Sequence, residues 1–289
     1  MNQKAFVAVI VGALMAGSSG VFIKYLDIPA TSISFIRTAI PTLILGLWMM
    51  WKSIPFFRGN YRVMLSASIL NSVRMYLFFT AYIYTSIGNA VIISYTWPIF
   101  VTILSVIFLK EVVSKREIML LVMAFVGIII VYANKPLTFE NRDFIGMTAA
   151  LGMAAVYATT VILFKKESQN YSRWELIFYQ NFASAFIFLP FILINQPLPT
   201  SFDITIAGSH AIFLGIIGFS FFFYGLRRLK ASTASMIAYI EIISALCFSV
   251  FWMKEELTAN MIAGGVLIVI STMLLRKKEP NKEVSITAD

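Results

Sequence analysis

Three ionisable residues stand inside otherwise apolar runs of this chain: Arg37, Arg74 and Glu241. A charge within a bilayer costs at least about 2.5–3.5 kcal/mol on insertion scales, so such residues face a cavity or a partner. The guanidinium of Arg74 can fork onto a carboxylate, which suits capture of an anionic group. Asn71 and Phe78 stand three and four residues away, on the same face of a helix. Glu241 could hold a substrate ammonium or carry a coupling proton, because burial favours the neutral form of a carboxyl. Aromatic residues complete the candidate binding set: Trp97, Tyr95, Tyr82, Tyr157 and Tyr239 join Arg74, Glu241 and Asn71. Arg37 is a secondary candidate. The competing reading is structural: an Arg74–Glu241 ion pair, ordinary packing for the aromatics, and helix tethering for Arg37.

Other chemistries find little support. The chain has one His (His210) and one Cys (Cys247), too few for a soft metal site or an internal disulfide. There is no Gly-Lys-Ser/Thr phosphate loop for nucleotide hydrolysis. No His pair, Asp cluster or Ser–His arrangement lies in the apolar runs, so an intramembrane enzyme is disfavoured. No cofactor is expected. His210 reads as lying near the outer surface and receives no role.

The elements that must position these side chains are membrane helices. Of 289 residues, 59% are hydrophobic and 13% charged, against about 25% charged in a soluble domain. The fold class is all-α integral membrane. Ten runs approach the roughly 20 apolar residues that a spanning helix needs: 5–26, 30–51, 63–84, 88–109, 116–133, 143–164, 174–194, 207–226, 232–253 and 259–275. The first begins like a signal peptide, with Lys4 before an apolar run. The run continues to Ile23 without a cleavage site, and it reads as a retained helix. With the N-terminus inside, the cytoplasmic segments carry 17 Lys and Arg and the outer ones only Lys24, Lys135, Arg142 and Lys254. That bias puts both termini in the cytoplasm. It also accounts for the net charge of +9 without nucleic acid.

Depth follows from counting. Arg74 is twelve residues from Arg62, so ~18 Å inside; Glu241 is eleven from Lys230, so ~17 Å. Both lie near the middle of a core about 30 Å thick and could share one cavity level. Arg37 is eight residues from Pro29, so ~12 Å from the outer face, and could snorkel outward.

The stretch Tyr95–Glu111 recurs as Tyr239–Glu255, at a constant offset of 144 residues. Tyr95/Tyr239, Ser105/Ser249, Lys110/Lys254 and Glu111/Glu255 are identical pairs in that register, and Trp97 falls opposite Glu241. Such a repeat makes two related halves, 1–134 and 135–278, followed by a polar tail, 279–289, expected to be disordered. Five spans per half is an odd number, so the second half is inverted in the membrane. Inverted repeats are a common build for secondary transporters, with the site near the midplane.

On these residues the chain resembles the EamA family of the drug/metabolite transporter superfamily over nearly its whole length. Gly17-Ser18-Ser19 followed by Phe22-Ile23-Lys24 is similar to the Gly-Ser…Lys pattern of the first helix, with Ala16 where the family often has Trp. The second copy, Tyr157-Ala158-Thr159-Thr160…Lys165, keeps an aromatic. Arg37 and Pro98-Ile99-Phe100 match the second and fourth helices. Lys110-Glu111 and Lys254-Glu255 stand where the family has Gly-Glu, and Glu241-Ile242 where it has Glu-Pro. Ser94-Tyr95-Thr96-Trp97-Pro98 looks like the aromatic amino acid exporters of the superfamily. The resemblance implies secondary transport, often export, of small metabolites or drugs. It also implies spans 1, 3, 4, 6, 8 and 9 around a central cavity.

These readings converge on a multi-pass transporter of a bacterial inner membrane. The expected function is export of an amino acid or similar zwitterionic amphiphile by alternating access, with possible proton coupling through Glu241. Broad efflux of lipophilic cations is the alternative. The expected partners are a small-molecule substrate, membrane lipid and protons, in a monomer or homodimer.

Overall fold

In the computed structural model, residues 2–133, 137, 139–194, 196–254 and 256–276 are described. Among them are fourteen α-helices, one π-helical segment and no strand. The expected boundary at 134/135, the side chain of Glu255 and the tail 279–289 lie outside the described residues. The helices are α1 (Gln3–Ala16), α2 (Ser19–Lys24), α3 (Ala30–Trp51), α4 (Tyr61–Tyr84), α5 (Ile87–Ser94), α6 (Trp97–Leu109) and α7 (Lys115–Tyr132). There follow α8 (Asn141–Glu167), α9 (Arg173–Ile194), α10 (Ser201–His210), the π segment Ala211–Gly218, α11 (Phe219–Arg228), α12 (Ala231–Ile237), α13 (Ile240–Phe251) and α14 (Ala259–Arg276).

Eight helical stretches are long and apolar enough to cross a membrane. Several expected spans are broken helices: α1 and α2 form one stretch, α5 and α6 another, and α12 and α13 a third. The helices α7 and α14 have 18 residues each, ~27 Å of rise. They are shorter than the rest, and α7 starts with three charged residues, Lys115, Arg116 and Glu117.

The offset of 144 reappears in the helices. Shifted by 144, α7 falls on α14, and α3 on α9 and α5 on α12 to within one residue. Both Lys110 and Lys254 adopt the left-handed region, at φ 56° and 58°. Only glycine takes this conformation without steric cost, and it is the usual helix-terminating one. The Gly of the family pattern therefore has a physical reason here, and the two lysines occupy a glycine's conformation. Packing follows the same exchange. The helix α1 packs on α11, and their counterparts α8 and α4 pack on each other; α3 pairs with α9, and α7 with α14.

Contacts across the chain tie these pairs together. The Glu111 carboxylate accepts from the backbone N–H groups of Ala231 (2.7 Å) and Ser232 (3.3 Å), capping the start of α12. An anion at a helix N-terminus also gains from the helix dipole. Lys165 donates to the Leu226 and Leu229 carbonyls at 2.7 and 2.6 Å. Arg58 holds Glu175 bidentately (2.7 and 2.9 Å), and this pairing raises the Arg58 pKa above its ordinary value.

Candidate functional site

The breaks in the helices are where the candidate residues gather. One lies at Tyr95–Thr96 and another at Ala238–Tyr239, within one residue of the 144-residue register. A helix break inside a membrane must satisfy the carbonyls it frees. Thr96 Oγ1 donates to the Ile93 carbonyl (2.7 Å). At the break of the first span, Ser18 and Ser19 donate to the carbonyls of Met15 (2.6 Å) and Ala16 (2.7 Å). Pro98 sits in the first turn of α6, where its missing N–H costs nothing.

Gly17 sets the spacing of these breaks. A Cβ there would lie 2.6 Å from the Glu241 carbonyl oxygen and from the Ala245 nitrogen, both backbone atoms that cannot step aside. Ser244 Oγ donates to the Leu14 carbonyl (2.5 Å) across the same contact. The turn of α1–α2 is therefore seated directly on the turn that carries Glu241. Gly17 is thus a point of close helix packing, and the surface it packs on is the candidate site's own backbone.

Arg74 is held from two sides. Its Nε donates to Asn71 Oδ1 (2.9 Å), and Asn71 Nδ2 donates to the Gln180 carbonyl of α9 (2.8 Å). The guanidinium carbon lies 4.8 Å from the centre of the Tyr157 ring. Tyr157 in turn packs on Trp97, with ring centres 4.7 Å apart. Asn71 and Trp97, at 2% and 6% exposure, are the buried supports of this arm. Arg74 and Tyr157 are part-exposed.

Glu241 occupies the other arm. Its carboxyl lies beside the Tyr95 side chain and in electrostatic range of Arg74 and Arg37. Tyr82 and Tyr157 are within its electrostatic reach, and Tyr82 packs on Phe78 (4.6 Å between ring centres). Glu241, Tyr95 and Tyr82 are part-exposed.

The structural ion pair considered for Arg74 and Glu241 does not form. The two salt bridges among the described residues are Arg58–Glu175 and Lys230–Glu117. Each charge is held by its own neutral partners instead. Tyr239, grouped with the lining residues in the sequence, is fully buried, and its hydroxyl donates to the Tyr95 carbonyl (2.9 Å). It braces one break against the other.

Three residues stand differently from the sequence reading. Arg37 does not stand apart from the other charges: it lies in electrostatic range of Arg74, Glu241 and His210. Pro41 is one turn further along α3 and cannot donate to the Arg37 carbonyl. His210 is not superficial: it is 1% exposed, Nε2 is 3.2 Å from Ser19 Oγ, and the ring stacks on Phe22 at 4.9 Å. Tyr132, not singled out in the sequence, lies in electrostatic range of Tyr82 and Tyr95. Its position near the end of an apolar run gave no sign of this.

The family model for the EamA-like transporter family matches residues 3–133 and again 144–277. The chain belongs to the EamA-like transporter family. Among similar proteins is the pseudopaline exporter CntI of Pseudomonas aeruginosa (strain UCBPP-PA14), 22% identical over 254 residues, covering 86% of this chain and 87% of that one. Another is the mouse solute carrier family 35 member G1, 22% identical and covering 91% of this chain and 75% of its own length. A solved crystal structure of a protein matches the fold with a TM-score of 0.82 at 14% identity, over 96% of this chain and 97% of the other. This EamA-like chain is thus a multi-pass membrane protein of a transporter family, and its relatives' names describe transporters.

Proposed function

We propose that this EamA-like protein is a secondary active exporter of a small zwitterionic amphiphile, most simply an amino acid, in a bacterial inner membrane. One observation carries the reading: Arg74 and Glu241 are both part-exposed and lie within electrostatic range of each other, yet no salt bridge joins them. A substrate carboxylate suits Arg74, an ammonium suits Glu241, and an apolar side chain suits Tyr157, which Trp97 backs. Each charge then finds its complement only when substrate is bound. Two arginines against one carboxylate favour this over efflux of lipophilic cations.

The architecture we propose is ten spans in two inverted halves, 1–134 and 135–278, with both termini in the cytoplasm. It is supported by the recurrence of helix ends at an offset of 144, by the exchange of packing partners between halves, and by the excess of Lys and Arg on one side. Here α7 and α14 count as the fifth and tenth spans. The halves alternate access around these charges, and Glu241 carries a coupling proton. Export by a relative whose name states an exported metabolite is consistent with the direction.

Counterflow of labelled amino acids into proteoliposomes tests the reading. Wild-type protein is expected to accumulate a label that Arg74→Ala and Glu241→Gln proteins do not. Equal flux through all three proteins removes the site. Flux indifferent to an imposed pH gradient removes the proton.

A further inference from the structure

A groove of about 460 Å³ lies outside the helix cluster that holds Arg74 and Glu241. Lys4, Val7 and Val11 line it from α1, Phe221 and Tyr224 from α11, and Arg173 from the start of α9. The two main walls run antiparallel. Gly225 of α11 meets Ala5 and Val9 of α1, and Gly218, just before α11, meets Gly12. Lys4, Arg173 and Tyr224 therefore gather at one end of the groove, and Val11 and Phe221 at the other. Along α1 the change from charge to apolar takes seven residues, ~10 Å.

The charged end has no carboxylate of its own. No acidic residue lines the groove, and neither Lys4 nor Arg173 joins an ion pair among the described residues. Arg173 instead lies over the Trp174 ring (4.6 Å) and the Tyr224 ring (5.9 Å), and Arg228 covers Tyr224 at 3.7 Å. Basic pockets between membrane helices on the cytoplasmic side are suited to anionic lipid headgroups. Tyr and Trp favour the depth of those headgroups. The groove is also remote from the proposed substrate route. Lys4 is thirteen residues, ~20 Å along the helix, from Gly17, which touches the Glu241 turn.

We infer that this groove binds one anionic phospholipid, its phosphate between Lys4 and Arg173 and one acyl chain along Val7, Val11 and Phe221. The leaflet, cytoplasmic, rests on the orientation proposed above, whereas the site rests on the groove alone.

Native mass spectrometry of the delipidated full-length protein tests it, with dioleoyl phosphatidylglycerol, dioleoyl phosphatidylcholine and inorganic phosphate as probes. Detergent solution has no sidedness, so the result is independent of the orientation and transport readings. A juxtamembrane cation contributes an affinity factor of about five, and two cations a factor of about thirty. The first phosphatidylglycerol is expected to bind about thirtyfold tighter than phosphatidylcholine. In the Lys4→Ala/Arg173→Ala protein that preference vanishes; in Lys4→Arg/Arg173→Lys it remains. Val11→Trp, which fills the apolar end, weakens both lipids. Equal binding of the two lipids overturns the proposal, as does a preference that survives loss of both cations. Displacement of phosphatidylglycerol by an equal concentration of inorganic phosphate also overturns it, in favour of a simple anion site.

Discussion

The breaks between α5 and α6 and between α12 and α13 share one backbone device and differ in chemistry. Both fall at a tyrosine, Tyr95 and Tyr239, and a left-handed lysine follows each helix: Lys110 directly after α6, and Lys254 three residues after α13 ends at Phe251. Yet the first turn of α6 presents Trp97 and Pro98, whereas that of α13 presents Glu241. A carboxylate is favoured in a helix's first turn, so α13 is a suitable carrier for the negative charge. Trp97 instead backs Tyr157, which supports Arg74. A duplicated scaffold thus supplies two equivalent positions, and the sequence has made one a charged contact and the other a wall. The tyrosines have diverged as well: Tyr95 reaches Glu241, and Tyr239 is spent on the Tyr95 carbonyl.

The comparison predicts unequal consequences for equivalent changes. Glu241→Gln should cut counterflow flux about a hundredfold, the scale of losing a desolvated charge contact worth about 2–5 kcal/mol. Trp97→Phe, at the matching position, should cost only two- to threefold, on the order of 0.5 kcal/mol. Flux assays that find the two equal would erase the distinction drawn here. Gly17→Ala drives a methyl into the Glu241 backbone and should destabilise by about 1–3 kcal/mol, read as a lower unfolding temperature. An unchanged unfolding temperature would mean that the two turns are not in contact. Tyr239→Phe removes one buried hydroxyl donor and should cost about 1 kcal/mol of stability. It should leave substrate affinity nearly intact, and a loss of affinity with stability unchanged would return Tyr239 to the binding set. The smallest effect should be a gain. Lys110→Gly and Lys254→Gly each relieve a left-handed backbone and should stabilise by about 0.5–1 kcal/mol. Opposite signs at the two sites would show that the equivalence of these helix ends is superficial.

The helices were legible because apolar runs and a fixed offset are one-dimensional signals. Arg74 and Asn71 were paired from spacing alone, since residues three apart share a helix face. The proximity of Arg37 to the other charges was not legible, because a count from a helix end carries no information on how α3 is rotated toward its neighbours. Pro41 signalled an irregularity and not its direction. His210 looked superficial for the same reason: its depth was judged from the end of a run. The sequence offered no sign of the π segment that follows it. The Arg74–Glu241 pair was plausible by depth and fails in three dimensions, because Asn71 and Tyr157 take up Arg74. The broken helices were hinted at by Pro98 and Gly17, while the break at Tyr239 has neither residue to announce it.

The central claim is that Arg74 and Glu241 act together on one zwitterion. Thermal stabilisation of the purified full-length protein by the twenty amino acids, beside polyamines and cationic dyes, addresses it most directly, since a ligand of the folded state raises its unfolding temperature. The account predicts that at least one amino acid stabilises the wild-type protein, and that Arg74→Ala and Glu241→Gln each abolish the shift while leaving the unliganded protein folded. Stabilisation by cations alone, lost in Glu241→Gln and kept in Arg74→Ala, would contradict it.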